Sequence, residues 1–452
     1  MISSSISFVN IGGANATALT KFIQTQDVPY KIALVSAAGK YILPDAYFGV
    51  SHGHLSPLKI NSGTVSSQVE AWSRTDVGVQ VKEYKPTENK VVLANGREYT
   101  YKALVLAPGF DHRNDLIEGL PELEQTHEEE NVYVHMLDNK ERCERNYYHG
   151  WNHVSGDMIC YSPKGPYKGE GTDFWALYYE SFMRQDKLHG RSTAGARIQY
   201  WTPNKEIYRF PYANEVALDE CHKRGVDVMF GWEMTKVHKD EYNQKIATFR
   251  NVDSGDVIEK VFTHCNINPP SVPRAELVSS GLTNSDGLID VNPYTLQHAR
   301  FENVFAFGDA TDADTTRTQH ACYAQNPVVK HNVLRFLEGK ELNGIYDGYS
   351  YMPFYLSHSH ANSFQHTYDY EPAPRNHWNP SYGLFAKFYF DYQIGQNLKL
   401  GEAYTSFKKN HGPPNSHYPQ QFDPLEHNEY LINKGVDVEA LRNFHNKGAR
   451  TA

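Results

Sequence analysis

A short apolar run that stops at glycine and aspartate constrains this chain more than any other feature. Within Gly287 to Pro327, the stretch Asn303-Val-Phe-Ala-Phe-Gly-Asp-Ala-Thr311 reads as a buried strand, Val304 to Phe307. It ends in a Gly308-Asp309 turn, followed by Thr315-Thr-Arg-Thr318 and a helix. A strand ending this way beside a helix start suits a dinucleotide. Glycine lets backbone approach a phosphate, the carboxylate accepts from a ribose or ribityl hydroxyl, and a helix N-terminus attracts the anion. Taken alone, Gly-Asp is also an ordinary turn after a strand.

The start of the chain supplies a second piece. Residues 6–13 and 31–36 read as strands flanking a helix at about 16–26, a βαβ opening. The turn Ile11-Gly-Gly-Ala-Asn-Ala16 stands where a Gly-x-Gly-x-x-Gly fingerprint would stand, with Ile11, Gly13 and Ala16 in the three glycine places. Alanine is tolerable at the third place, which serves helix packing, but a β-branched residue is unfavourable in the tight turn at the first. Starting the frame at Gly12 leaves Asn15-Ala16-Thr17 for the remaining places, which is no better. The acid expected at the end of the second strand, to hold a ribose, is Ser36. Further on, Tyr101-Lys-Ala-Leu-Val-Leu-Ala-Pro-Gly-Phe110 reads as a strand with an exit through Ala107, Pro108 and Gly109. The proline removes a backbone donor there.

Residues 126–155 read as an exposed helix and connector. A second α/β unit follows, with strands at 157–161, 196–202 and 227–230, helices at about 173–184 and 212–223, and a meander from Trp232 to His264. The turn after its first strand, Ser162 to Thr172, is glycine-rich but carries two prolines and lacks the fingerprint order. It therefore gives no nicotinamide site.

A formal net charge of -9 gives no electrostatic case for nucleic acid. No apolar run approaches the roughly 18–20 residues that span a bilayer. The N-terminus has no basic residue before Lys21 and resembles neither a signal peptide nor a cleavable transit peptide. Cys143, Cys160, Cys221, Cys265 and Cys322 are scattered, with no Cys-x-x-Cys, which argues for reduced structural thiols over a disulfide framework or zinc site. The alternating pairs His52/His54 and His358/His360 lack companion ligands, so no metal is expected. Residues 381–400 are dense in aromatics, with Tyr382, Phe385, Tyr389 and Tyr392 at near-helical spacing. They suit a membrane interface, a protein partner or the chain's own core. The tail from Lys408 is polar and suits wrapping a partner.

Five separate pieces carry a family resemblance: Asp290-Val-Asn-Pro-Tyr-Thr-Leu-Gln-His298, Asn303 to Asp309, Thr315-Thr-Arg-Thr318, Ala324-Gln325 and Tyr346-Asp-Gly-Tyr349. In order and spacing they resemble the C-terminal part of sulfide:quinone oxidoreductases, flavoproteins with two dinucleotide-binding domains. The resemblance covers roughly residues 5–395. It implies an FAD site at Gly12, Gly13, Asn15, Ala16, Ser36, Ala107, Gly109, Gly308 and Asp309, with Arg317 as a cation near flavin and quinone. The family oxidises sulfide with two redox cysteines, passes electrons through FAD to a membrane quinone, and sits on one membrane leaflet. At the matching places this chain has Gly169, within Tyr167-Lys-Gly-Glu-Gly171, and Met352, just before Pro353. Neither forms a thiolate.

The expected fold is α/β, with two Rossmann-like domains. The first is discontinuous (1–125 and 285–360), the second spans 126–284, and an aromatic helical region (361–407) and a polar tail (408–452) follow. The expected function is that of a catalytically inactive relative, an accessory subunit of a mitochondrial respiratory complex at the inner membrane with protein partners. FAD is in doubt, and neither NAD(P) nor metal is expected. The alternative is an active FAD-dependent quinone reductase with a donor other than sulfide.

Overall fold

Strands that are apolar on both faces belong inside parallel sheets covered by helices, and the first two strands are of this kind. β1 (Ile6–Gly12) and β2 (Ile32–Ser36) are buried at almost every position. The computed structural model describes residues 6–13, 16–17, 19–20, 23, 29–39, 74–125, 131–134, 140–167, 174–188, 190, 195–356, 361–368, 429, 432–433 and 435–444. β1 and β2 pair in parallel, β3 (Arg74–Val77) pairs in parallel with β2, and β6 (Glu98–Ala107) flanks β1 on the other side. An antiparallel hairpin, β4 (Val81–Lys85) with β5 (Lys90–Leu93), leans on the first half of β6.

After β6 the chain leaves through β7 (Asp111–His112) and enters a second sheet. This sheet contains β8 (Val132–Val134), β9 (Gly156–Tyr161), β10 (Ala196–Thr202) and β11 (Asp227–Phe230). An antiparallel meander follows: β12 (Trp232–Lys239), β13 (Lys245–Asn251) and β14 (Val257–Phe262). β15 (His264–Ile267) then inserts between β9 and β8, giving the all-parallel order β11-β10-β9-β15-β8. The meander covers one face, where the Trp201 and Phe249 rings stack at 4.2 Å. Helices Lys140–Trp151 and Ala176–Leu188 cover the other face over Tyr133, Met158, Cys160 and Tyr200.

Two sequence expectations are corrected here. The stretch 126–155 is no exposed connector: it contains the buried strand β8 and a helix whose Cys143, Asn146 and Gly150 face inward. A Cβ on Gly150 would lie 2.2 Å from the Tyr179 ring, so a small residue is what lets that helix seat. The meander also stops at Phe262, and His264 opens a parallel strand of the main sheet.

The chain returns through β16 (Ser271–Val272), which pairs with β7, so both crossings are tied together. Arg274 strengthens the tie, donating to the Pro108 carbonyl at 3.1 Å and pairing with Asp111 at 3.1 Å. β17 (Val304–Ala306) then pairs in parallel with β6 and completes the first sheet. Phe8 and Phe305 are fully buried in its core, each contributing about 1.5–3 kcal/mol by leaving water. Helix Gln319–Leu337 follows, and a hairpin of β18 (Ser350–Tyr355) and β19 (Ala361–His366) ends this part. The region expected to face a membrane or partner, 361–407, thus begins with a strand that packs inward. Phe364 is buried among Tyr208, Phe210 and Tyr212 of the second unit. The aromatic stretch 381–400 lies outside the described residues. The fold is α/β with two Rossmann-like parallel sheets.

Candidate functional site

The C-terminal ends of β1, β6 and β17 lie side by side, since Gly12 pairs with Ala107 and Ala306 with Leu106. This brings Gly12, Gly13, Ala16, Ala107, Gly109, Gly308 and Asp309 to one edge of the first sheet. Gly12 has φ 153°, and a Cβ there would lie 2.2 Å from the Ala107 carbonyl oxygen. The residue that must lack a side chain is therefore Gly12, the position between Ile11 and Gly13. Ile11 instead packs in the core, 5 % exposed. Among the described residues, a Cβ on Gly13 would meet nothing within 4 Å, an opening that suits an anion. The helical turn after it is fastened from within. Asn10 Nδ2 donates to the Ala16 carbonyl (2.6 Å) and to Thr20 Oγ1 (3.0 Å), and the Thr17 hydroxyl donates to the Gly13 carbonyl (2.9 Å).

Ser36 is buried, and its hydroxyl donates to the Ala38 carbonyl at 3.0 Å. It shapes the turn and has one oxygen where a ribose needs a two-oxygen acceptor. A carboxylate lies one strand over, at Asp76 opposite Val35. It is nearly buried and held by Arg97 and the Tyr99 hydroxyl, which occupy its oxygens.

At the other end of the edge, Gly308 has φ 83° and its N–H donates to Gln325 Oε1 at 2.8 Å. Gln325 is a residue of the helix Gln319–Leu337, so turn and helix are stitched together. Arg317 is nearly buried: Nε donates to the Asp309 carbonyl (3.0 Å), a terminal nitrogen donates to the Thr311 carbonyl (3.4 Å), and its guanidinium lies 5.6 Å from the centroid of the Phe110 ring. Thr318 caps the helix, accepting from the Ala321 N–H at 3.2 Å. Beyond Arg317 a buried hydroxyl network links Thr316 and Thr318 to Ser350 of β18. Arg209 reaches across from the second unit to Asp314 (2.8 Å) and the Thr315 carbonyl (2.9 Å).

Asn15 and Gly169 lie outside the described residues, as do His52, His54, His358 and His360. Met352 is described by its backbone alone, in β18 opposite Phe364. All five cysteines are buried, and none forms a disulfide. Burial pushes the Cys221 thiol up to about 12 and the Cys265 thiol well above its ordinary value. Cys322, expected from the sequence to be a structural thiol, has its Sγ 3.4 Å from where a Gly308 Cβ would stand. Sequence reasoning missed Gln325 as the partner of Gly308. Among the described residues, no group of three or more His, Cys, Asp or Glu could hold a metal ion, and no helix is long and apolar enough to cross a membrane.

The candidate residues fit a flavin dinucleotide in part. Gly12, Gly13 and Ala16 shape an approach for a pyrophosphate, and Gly308, Asp309 and Arg317 form a polar turn opposite it, while Ser36 supplies no carboxylate for the ribose.

No protein-family model matches the chain. It is 27% identical to the mitochondrial sulfide:quinone oxidoreductase of Schizosaccharomyces pombe, over 68% of this chain and 64% of that protein. The mitochondrial sulfide:quinone oxidoreductases of Dictyostelium discoideum and Mus musculus are 24% and 23% identical, each over 63% of its length. The chain thus spans under two thirds of the length of these curated relatives. Among solved structures, a chain in the Tetrahymena thermophila mitochondrial ATP synthase F1Fo composite tetramer is similar with TM-score 0.79 and 26% identity, covering 91% of this chain and 98% of that one. The sulfide:quinone oxidoreductase of the hyperthermophilic bacterium Aquifex aeolicus shares the fold, with TM-score 0.65 at 15% identity over 88% of this chain and 92% of that one. In sequence and in fold, the chain is a sulfide:quinone oxidoreductase-like protein of two-Rossmann-domain architecture.

Proposed function

We propose that this chain is a catalytically inactive sulfide:quinone oxidoreductase-like protein that serves as an accessory, structural subunit of a mitochondrial membrane complex of the ATP synthase kind. One observation carries the reading: the likeness to a chain of the Tetrahymena ATP synthase structure, TM-score 0.79 at 26% identity over 98% of that chain, exceeds the likeness to the Aquifex aeolicus enzyme, TM-score 0.65 at 15% identity over 92% of that chain. The chemistry supports it. Sulfide oxidation by a dithiol needs two thiolates, and Gly169 has no side chain while the Met352 thioether cannot ionise. The five cysteines present are buried, a setting that disfavours the thiolate.

FAD, when bound in such a fold, supplies hydride and single-electron transfer. Here Gly12, Gly13, Ala16, Ala107 and Gly109 would flank its pyrophosphate, and Gly308, Asp309 and Arg317 its flavin end. With Ser36 in the ribose position, that binding is weak on this reading. The test is the visible absorbance spectrum of the protein purified gently from its native membranes, together with a sulfide-to-quinone assay. The expected result is less than stoichiometric flavin and no turnover. One equivalent of flavin with sulfide-dependent quinone reduction would overturn the proposal.

A second reading, an active FAD-dependent quinone reductase with another donor, is favoured by the Gly308-Asp309 turn, whose left-handed glycine and adjoining Arg317 suit a flavin. It predicts tightly held flavin that Asp309→Ala releases. Unchanged flavin content in that variant would remove Asp309 from the site.

A further inference from the structure

The turn Asn292-Pro-Tyr294 lies on the return path to β17 and takes no part in the candidate dinucleotide edge. Its geometry is set by the Asn292 side chain, whose Oδ1 accepts from the Tyr294 N–H (2.8 Å) and the Thr295 N–H (3.0 Å). The other half of the same amide points at a distant part of the chain. Asn292 Nδ2 donates to the carbonyls of Leu441 (3.3 Å), Arg442 (3.0 Å) and Phe444 (2.8 Å). These carbonyls lie at and just beyond the end of the short helix Val438–Arg442, where a helix runs out of intrahelical donors. Asn292, 7 % exposed, supplies a donor to them from outside.

Apolar contacts follow the same path. Val438, 5 % exposed, packs with the fully buried Ile345, and Tyr294, Val436 and Leu441 close around them. Phe444 sets its ring edge-on to Tyr294 at 5.4 Å. On the other side of Tyr294, also at 5.4 Å and edge-on, stands Tyr368. The Tyr368 hydroxyl donates to the Pro293 carbonyl (2.6 Å) and its N–H to the Asp347 carbonyl (3.0 Å). Gly348 makes room for it, since a Cβ there would lie 2.5 Å from the Tyr368 ring. Tyr368 ends the described run 361–368, and 435–444 is the last described run. Both are gripped by the same three-residue turn.

We propose that the Asn292–Tyr294 turn is an intramolecular docking site whose occupant is this chain's own segment 435–444. By gripping Tyr368 as well, the turn fastens both ends of the stretch 369–434 at one point. The C-terminal segment is then committed to its own chain whether or not a partner is present. The inference stands independently of the proposed function.

Asn292→Asp separates the two halves of the amide. The carboxylate keeps the acceptor that shapes the turn but replaces the donor with an anion facing three carbonyls. Hydrogen exchange of the purified full-length chain reads the outcome at the amides of Leu441 and Phe444, which bond to the carbonyls of Asp437 and Leu441. In the wild type they are protected to the same degree at every protein concentration. In Asn292→Asp they exchange roughly tenfold faster or more, while amides of β1 and β6 are unchanged. Phe444→Ala, outside the turn, gives the same local loss and guards against a turn defect in the first variant. Free exchange of 435–444 in the wild type would overturn the proposal, as would protection that appears only at high concentration, the mark of a second copy as occupant. Unchanged protection in both variants would overturn it too.

Discussion

Each parallel sheet has a strand ending in a glycine-bearing turn, and the two turns are closed by opposite means. After β1 the turn is made by missing side chains: Gly12 has the Ala107 carbonyl where a Cβ would be, and a Cβ on Gly13 would meet none of the described residues within 4 Å. After β9, Ser162-Pro-Lys-Gly-Pro166 is tied down by a side chain. Asn204 donates to the Pro163 carbonyl (3.1 Å) and to Thr202 Oγ1 (3.0 Å), and accepts from the Gly165 N–H (3.5 Å). The first turn keeps a backbone approach that a phosphate-bearing ligand can use. In the second, the Gly165 N–H and the Pro163 carbonyl are already bonded to Asn204. The first turn thus keeps the open backbone that the proposed dinucleotide would need, even though Ser36 stands where a ribose acid is expected. Its glycine persists for a reason internal to the fold, the contact with β6.

The largest expected effect tests that claim. Gly12→Ala forces a Cβ onto the Ala107 carbonyl at a backbone angle that suits glycine, and should destabilise by about 2–4 kcal/mol in chemical denaturation. A loss under about 0.5 kcal/mol would mean the turn has no such constraint.

Next comes acid, which acts on the second sheet more than on the first. His264 is fully buried, its Nε2–H donating to Asn146 (3.0 Å), and the Asn146 amide in turn bonds to Tyr179. His153 donates to the Gly156 carbonyl at 3.2 Å. Burial holds the His153 imidazole below its ordinary value and that of His264 well below it. The unfolded chain therefore takes up protons first as pH falls. Stability is fully present above about 6.5 and is lost below it, at up to about 1.4 kcal/mol per pH unit for each fully buried histidine. In the first sheet's unit, burial likewise lowers His298, whose Nδ1 accepts from the Arg300 N–H (3.0 Å). Denaturant midpoints at pH 7.5 and 5.5 should fall in that order for the wild type, and His264→Gln should flatten the slope. An unchanged slope would place the sensitivity elsewhere.

Smaller effects sharpen the contrast between the turns. Gln325→Leu strands the Gly308 N–H and should cost about 1–2 kcal/mol. Asn204→Ala loosens the turn after β9 by about 1 kcal/mol. Gly13→Ala, with none of the described residues within 4 Å of its Cβ, should stay within about 0.5 kcal/mol in stability. If Gly13→Ala matched Gly12→Ala in cost, the open face at Gly13 would be misassigned.

Much of the scaffold was legible because its strands are long, buried apolar runs. β10 and β11 have the bounds that the pattern gives, and helix Pro211–Arg224 differs by one residue at each end. β8 and β15 were not legible, being three and four residues long beside polar neighbours. Their burial comes from sheet partners distant in the chain. The candidate edge was legible at Gly308, Asp309 and Arg317, where strand, turn and helix are contiguous. Which glycine of the first turn matters was not, because the deciding contact is with Ala107 on another strand. The Asn292 clasp was invisible for the same reason: its partners lie 149 to 152 residues further along the chain.

The most direct measurement is native-gel migration of this protein from gently solubilised mitochondrial membranes, with the same lane stained for ATP hydrolysis and scanned for flavin. A structural subunit runs in the high-mass band that hydrolyses ATP, without stoichiometric flavin of its own. Migration as a free, flavin-bearing species that reduces quinone would contradict the structural role and leave an enzyme in its place.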